Sequence, residues 1–94
     1  MSVDYKTTTG SATSFGKAVE WSVTQALVDG VVSSAAFRAT VRVEREGYNK
    51  QIFHQLMQRA KVRTAISGMS VKDGKVEVND AGDGYTSISA DFER

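Results

Sequence analysis

Phe37 to Glu46 reads as a strand in which apolar and polar residues alternate strictly as far as Glu44, and after Gly47 the apolar spacing lengthens to three or four residues. Strand side chains alternate between two faces while helical ones recur about every 3.6 residues, so this switch predicts a strand feeding a helix. Phe37, Ala39, Val41 and Val43 fall on one side and Arg38, Thr40, Arg42 and Glu44 on the other, as in a strand with one buried and one wet face. Gly47 ends the strand and Asn49 is placed to cap the helix. Ile52, Phe53, Leu56, Met57 and Ala60 form its core-facing stripe, with Lys50, His54, Gln55, Gln58 and Lys61 outside. Val62 lies off that stripe. The helix is therefore expected to end near Lys61 to Arg63, with Val62 to Ile66 as a fraying turn or an extended exit.

The N-terminal stretch from Val3 to Thr9 also alternates, setting Val3, Tyr5 and Thr7 against Asp4, Lys6 and Thr8, and predicts a half-buried strand broken by Gly10 to Ser14. Residues 15–28 admit two readings. A helix capped by Thr13 or Ser14 stacks Phe15, Val19, Val23, Ala26 and Leu27 and stops at Asp29-Gly30. A strand from Val19 to Leu27 puts Val19, Trp21, Val23 and Leu27 on one face, and its Val, Trp and Thr content suits a sheet. The polar cap and closing glycine favour the helix, which leaves Trp21 outside its stripe. Val31 to Ala36 reads as a small-residue connector.

Toward the C-terminus, Asp73-Gly74 between Val71 and Val76 supplies the positive φ angles of a two-residue hairpin turn. Asn79 to Gly84 reads as a polar loop, and Tyr85 to Phe92 as a strand with Thr86, Ile88, Ala90 and Phe92 inward, so the chain closes with a three-stranded meander. The order is strand, helix, strand, helix, then two or three strands. It predicts an α+β fold, a mainly antiparallel sheet of four to five strands with two helices packed on one face, in a single domain over residues 1–94.

A chain of 94 residues buries about two thirds of its unfolded surface, which leaves little room for an internal ligand cavity and keeps self-association open. The chain contains no cysteine, so disulfide and thiolate chemistry are excluded and a reducing compartment suits it. The first residues lack the apolar run of a signal peptide, and no segment approaches the roughly 20 apolar residues that span a bilayer. The expectation is a cytoplasmic protein with no membrane partner.

Candidate chemistry is sparse. His54 is the single histidine and sits on the wet side of its helix, without the orienting neighbour that proton transfer needs. Asn79, Asp80 and Asp83 before Gly84 suggest a calcium loop, but counting from Asn79 the third position is Ala81 and the twelfth is Ala90, where ligands are required. The hydroxyls from Thr7 to Ser14 have no adjacent base. No catalytic, metal or cofactor-binding residue is assigned, no cofactor is expected, and the chain is not expected to be an enzyme.

Charge adds one feature. Seven Lys and Arg between Arg38 and Arg63 face only Glu44 and Glu46, whereas the last third of the chain is acidic. Arg38, Arg42, Lys50, Arg59, Lys61 and Arg63 are thus candidates for a partner-binding surface, together with Trp21, since tryptophan is enriched at binding hot spots. Three outcomes are open: quenching by Glu77, Asp91 and neighbouring carboxylates, an acidic protein partner or a second copy of the chain, and nucleic acid. Single-strand binders interleave aromatic rings with cations, and only Tyr48 and Phe53 lie near these residues.

Tyr5-Lys6, Gly10-Ser11 and Ser14-Phe15-Gly16-Lys17-Ala18-Val19, with Gly74-Lys75-Val76 and the final strand, loosely resemble dodecins, small flavin-binding oligomers of strand-helix-strand-strand order. About a third of the chain takes part. The inserted basic helix has no counterpart in that family and the second strand lacks its flavin-stacking tryptophan, so the resemblance implies no site here. The functional expectation is a small non-enzymatic binding module, an adaptor or inhibitor acting by protein contact through its sheet face or second helix and forming a homodimer, of the kind phages and mobile elements encode. The alternative is a nucleic-acid-binding protein using Arg38, Arg42, Lys50, Arg59, Lys61 and Arg63.

Overall fold

A computed structural model describes residues 2–14, 16–42 and 49–94, the last segment without the Asn49 side chain. The elements are β1 (Val3–Ser14), β2 (Lys17–Val28), β3 (Val31–Arg42), α1 (Asn49–Met57), α2 (Ala60–Ala65), β4 (Ser70–Gly82) and β5 (Tyr85–Glu93). Five strands form one antiparallel sheet in the order β1-β2-β3-β5-β4, and the two short helices pack on one face: the expected α+β class. The places expected of Phe15, Val43, Glu44 and Gly47, and the Asn49 cap, lie outside the described residues.

The segment favoured as a helix is strand β2. Val19, Trp21 and Val23 point into the core, opposite Val41, Ala39 and Phe37 of β3. Asp29-Gly30 is a tight turn between β2 and β3, with both φ angles positive at 52° and 82°, and not a helix stop. The polar residues taken for a cap belong to β1, which runs unbroken through Gly10 to Ser14. Gly10 is no break either. A Cβ there would lie 2.4 Å from Cζ2 of Trp21, so the missing side chain lets the indole lie across β1, where it is only 5% exposed. These corrections share a cause: β-branched and aromatic residues pack well on a pleated surface, and a helix would have left Trp21 in water.

β1 also turns the other way from the reading of its apolar residues. Thr8, Gly10, Ala12 and Ser14 share the helix side with Val23, Trp21, Val19 and Lys17 opposite them, which puts Val3 and Tyr5 on the outer face, 48% and 72% exposed. The small-residue connector is the first half of β3, irregularly registered against β2 between Ala26 and Leu27.

The alternation in β3 and β5 holds. Ala35, Phe37, Ala39 and Val41 are buried with Ile88, Ala90 and Phe92, while Arg38, Thr40 and Arg42 are exposed. The predicted single helix divides at Gln58 and Arg59: the amide of Arg59 donates to the Leu56 carbonyl (3.0 Å), and Arg59 itself is extended at φ −67°, ψ 135°. A new helix then starts at Ala60 with a fresh phase. That places Val62 and Ala65 in the core and explains why Val62 misses the stripe of Ile52 and Leu56. Phe53 meets Phe37 edge to face, centroids 5.7 Å apart and rings inclined at 76°, a favoured aromatic geometry. Gln25 Nε2 donates to the Ala65 carbonyl at the end of α2 (2.8 Å), and the Ser14 hydroxyl donates to Oε1 of Gln55 on α1.

The terminal meander has two strands, not three. Asp73 and Gly74 take the expected positive φ angles of 57° and 64°, but Val71 and Val76 both pair with β5, opposite Phe92 and Ala90. Lys72-Asp73-Gly74-Lys75 is therefore a bulge within β4, four residues against Asp91. The hairpin turn lies at Asp83-Gly84, φ 53° and 80°, inside the stretch read as a loop. Ser14 to Val19, compared above with a dodecin helix start, spans the end of β1 and the start of β2, so that likeness does not extend to the fold.

Candidate functional site

The sheet divides the six candidate cations between its two sides. Arg38 and Arg42 project from the outer face of β3, while Lys50, Arg59, Lys61 and Arg63 belong to the helical layer on the inner side. They do not converge on one surface. Trp21, the seventh candidate, is in the core, because in a strand it faces inward with Val19 and Val23.

On the outer face, strand register builds rows of side chains. One row runs Thr9, Ser22, Arg38, Ser89 and Glu77, and its neighbour Ser11, Glu20, Thr40, Ser87 and Asn79. Arg38 Nη1 lies 3.4 Å from Oδ1 of Asp91, the one ion pair among the described residues, with both side chains more than half exposed. Glu77, Lys72 and Lys75 line the same depression as that pair. The acidic tail thus meets the strand arginine through Asp91, which lies opposite Ala36 and diagonal to Arg38 in the register of β3 against β5. Such an exposed pair contributes under about 1 kcal/mol. Arg42 lies opposite Tyr85 and near Gly84 at the other end of the face. Serine and threonine dominate what remains, and the hydroxyls of Thr7 and Thr24 hydrogen-bond across β1 and β2 at 3.0 Å.

The helical layer differs. Neither α1 nor α2 contains an acidic residue, and Lys50, Arg59, Lys61 and Arg63 have no carboxylate within ion-pair distance among the described residues. Lys6 of β1 joins Lys61 around a depression floored by Gln25, Ala60, Thr64 and Ala65. Arg59 Nη2 donates to the Thr13 carbonyl at 3.5 Å, reaching the edge of the sheet. His54 is exposed, as expected. Asp80, in the stretch compared with a calcium loop, accepts a hydrogen bond at Oδ1 from the Gly82 amide (2.8 Å), a turn contact.

One surface escaped the sequence reading: the free β1 edge of the sheet. Its signal was present. The run Thr7-Thr8-Thr9-Gly10-Ser11-Ala12-Thr13-Ser14 has neither charge nor proline, the features that normally blunt an edge strand. No protein family model, curated protein or solved structure matches this chain. No helix among the described residues is long and apolar enough to cross a membrane.

Proposed function

We propose that this protein is a small non-enzymatic module that works by binding another protein chain through its sheet, as an adaptor or inhibitor. One observation carries the reading: the helices cover a single face, leaving the other face and the long β1 edge open to solvent. This face carries many short hydroxyl side chains beside Glu20, Arg38, Arg42, Glu77 and Asp91, donors and acceptors that a partner's polar groups can satisfy on contact. The test is affinity capture from the native host with the wild-type protein, the face variant Ser22→Arg/Thr40→Arg, and the helix variant Lys61→Glu/Arg63→Glu. A partner held by wild type and the helix variant but lost from the face variant supports the reading. Equal capture by all three overturns the sheet as the contact surface.

A second reading, nucleic-acid binding, is favoured by the acid-free helical layer. Lys50, Arg59, Lys61 and Arg63 could neutralise several phosphates, with affinity falling steeply as salt rises. Retention on a generic DNA or RNA column at about 50 mM salt, lost on Lys61→Glu/Arg63→Glu, is its expected mark. Flow-through of the wild type at that salt ends it.

A further inference from the structure

The two outer strands of the sheet treat their free edges in opposite ways. β4 is interrupted by the four-residue bulge at Lys72 to Lys75 and by a second register shift between Asp80 and Gly82, and it carries Asp73, Lys75, Glu77 and Asp80. These are devices that discourage a further strand from pairing. β1 has none of them between Thr7 and Ser14, and its 12 residues pair with β2 without a shift.

One hydrogen bond fixes which backbone groups of β1 are open. The Asp29 amide donates to the Ser2 carbonyl at 2.9 Å, so Ser2 directs its main-chain groups toward β2. Because antiparallel pairs alternate, the even-numbered residues of β1 do the same, and the odd-numbered ones turn N–H and C=O outward. Among the described residues Val3, Tyr5, Thr7, Thr9 and Ser11, with the amide of Thr13, therefore present an unpaired ladder. The Arg59 contact agrees, since it reaches the carbonyl of Thr13.

We propose that this edge is closed by β1 of a second copy, antiparallel about a two-fold axis at Thr9, which joins the two sheets into one continuous sheet. The proposal rests on the reading of the protein as a contact module and names its partner. Three features favour a second copy over a foreign strand. In this register Asp4 faces Ser14, Lys6 faces Ala12 and Thr8 faces Gly10, so no charge meets a like charge and both helical layers lie on the same side. On the outer face Thr9 meets Thr9 and Thr7 meets Ser11, hydroxyl pairs of the kind that Thr7 and Thr24 already make. Asp4, which has no ion-pair partner among the described residues, comes beside Ser14 of the other copy, next to the Thr13 carbonyl that Arg59 reaches. The two-fold axis makes each match twice, save Thr9 with Thr9, which lies on it.

The cysteine-free chain makes the test direct. Light scattering at about 100 μM should give twice the 10.2 kDa chain mass. Under mild oxidation Thr9→Cys should form a covalent dimer and Thr40→Cys, on the outer face of β3, should not. Thr9→Pro removes an outward N–H that β2 does not use, and with circular dichroism unchanged it should raise the dimer dissociation constant about tenfold or more, since both copies lose a bond at the centre. A folded monomer at this concentration, or cross-linking through Thr40→Cys in place of Thr9→Cys, overturns the proposal. Capture of a different protein from the native host separates the two levels. A monomer that holds such a partner and loses it on Thr9→Pro rejects self-pairing and keeps the contact-module reading; a monomer that captures no partner rejects both.

Discussion

Phe37 and Arg38 are neighbours in β3, yet one is fully buried against Phe53 and the other is exposed beside Asp91. The same contrast runs through the sheet. Its inner face gathers Val19, Trp21, Val23, Val41, Ile88 and Phe92 beneath Ile52, Leu56 and Val62 of the helices, while its outer face mixes threonine and serine with Tyr5, Glu20, Arg38, Arg42 and Asp91. Stability resides on one side of a layer one residue thick. The other side is therefore free to vary in chemistry at little cost to the fold, which is where a binding surface can develop.

Substitutions on adjacent residues measure that contrast. Phe37→Ala empties the centre of the core and removes the edge-to-face contact with Phe53; a loss of about 3–5 kcal/mol is expected in denaturant unfolding. A loss below about 1 kcal/mol would mean that the helices do not seal the inner face. Next in size is Gly10→Ala, whose Cβ would fall 2.4 Å from the indole of Trp21 and should cost about 1–3 kcal/mol. Thr9→Ala, one residue away on the outer face, should stay within about 0.5 kcal/mol, and equal effects at the two positions would erase the distinction between faces on β1. Gly30→Ala should cost about 1–2 kcal/mol, because φ is +82° with open space around it, so the penalty lies in the backbone alone. The smallest effect belongs to Arg38 and Asp91: a double-mutant cycle to alanine should give a coupling below about 1 kcal/mol that fades with added salt.

Much of this architecture is written in local pattern. Phe37 to Arg42 and Thr86 to Phe92 alternate cleanly because each has one wet face, and both were legible as strands with the correct residues inward. β2 was not, because polar residues before it and Asp29-Gly30 after it imitate helix caps when a neighbouring strand is not yet known. Asp-Gly occurs three times, always with both residues at positive φ, but the dipeptide specifies only that local bend. Whether the flanking strands pair with each other, as around Asp29 and Asp83, or both with a third, as around Asp73, depends on register beyond the reach of the dipeptide. The division at Arg59 left a trace in Val62, whose misplacement on a single helical wheel marked a change of phase. Which cations share a surface was not legible at all: Arg42 and Lys50 are close in sequence, but β3 and α1 belong to different layers.

Trp21 is the sole tryptophan, and its ring lies over a glycine in the outermost strand. Excited at the red edge of protein absorbance, this fluorophore reports whether the N-terminal strand is seated, because peeling that strand away admits water to the indole and shifts its emission to longer wavelength. Stopped-flow traces followed this way, set beside far-ultraviolet signals from the whole backbone, would time the docking of the first strand against formation of the rest without any added label.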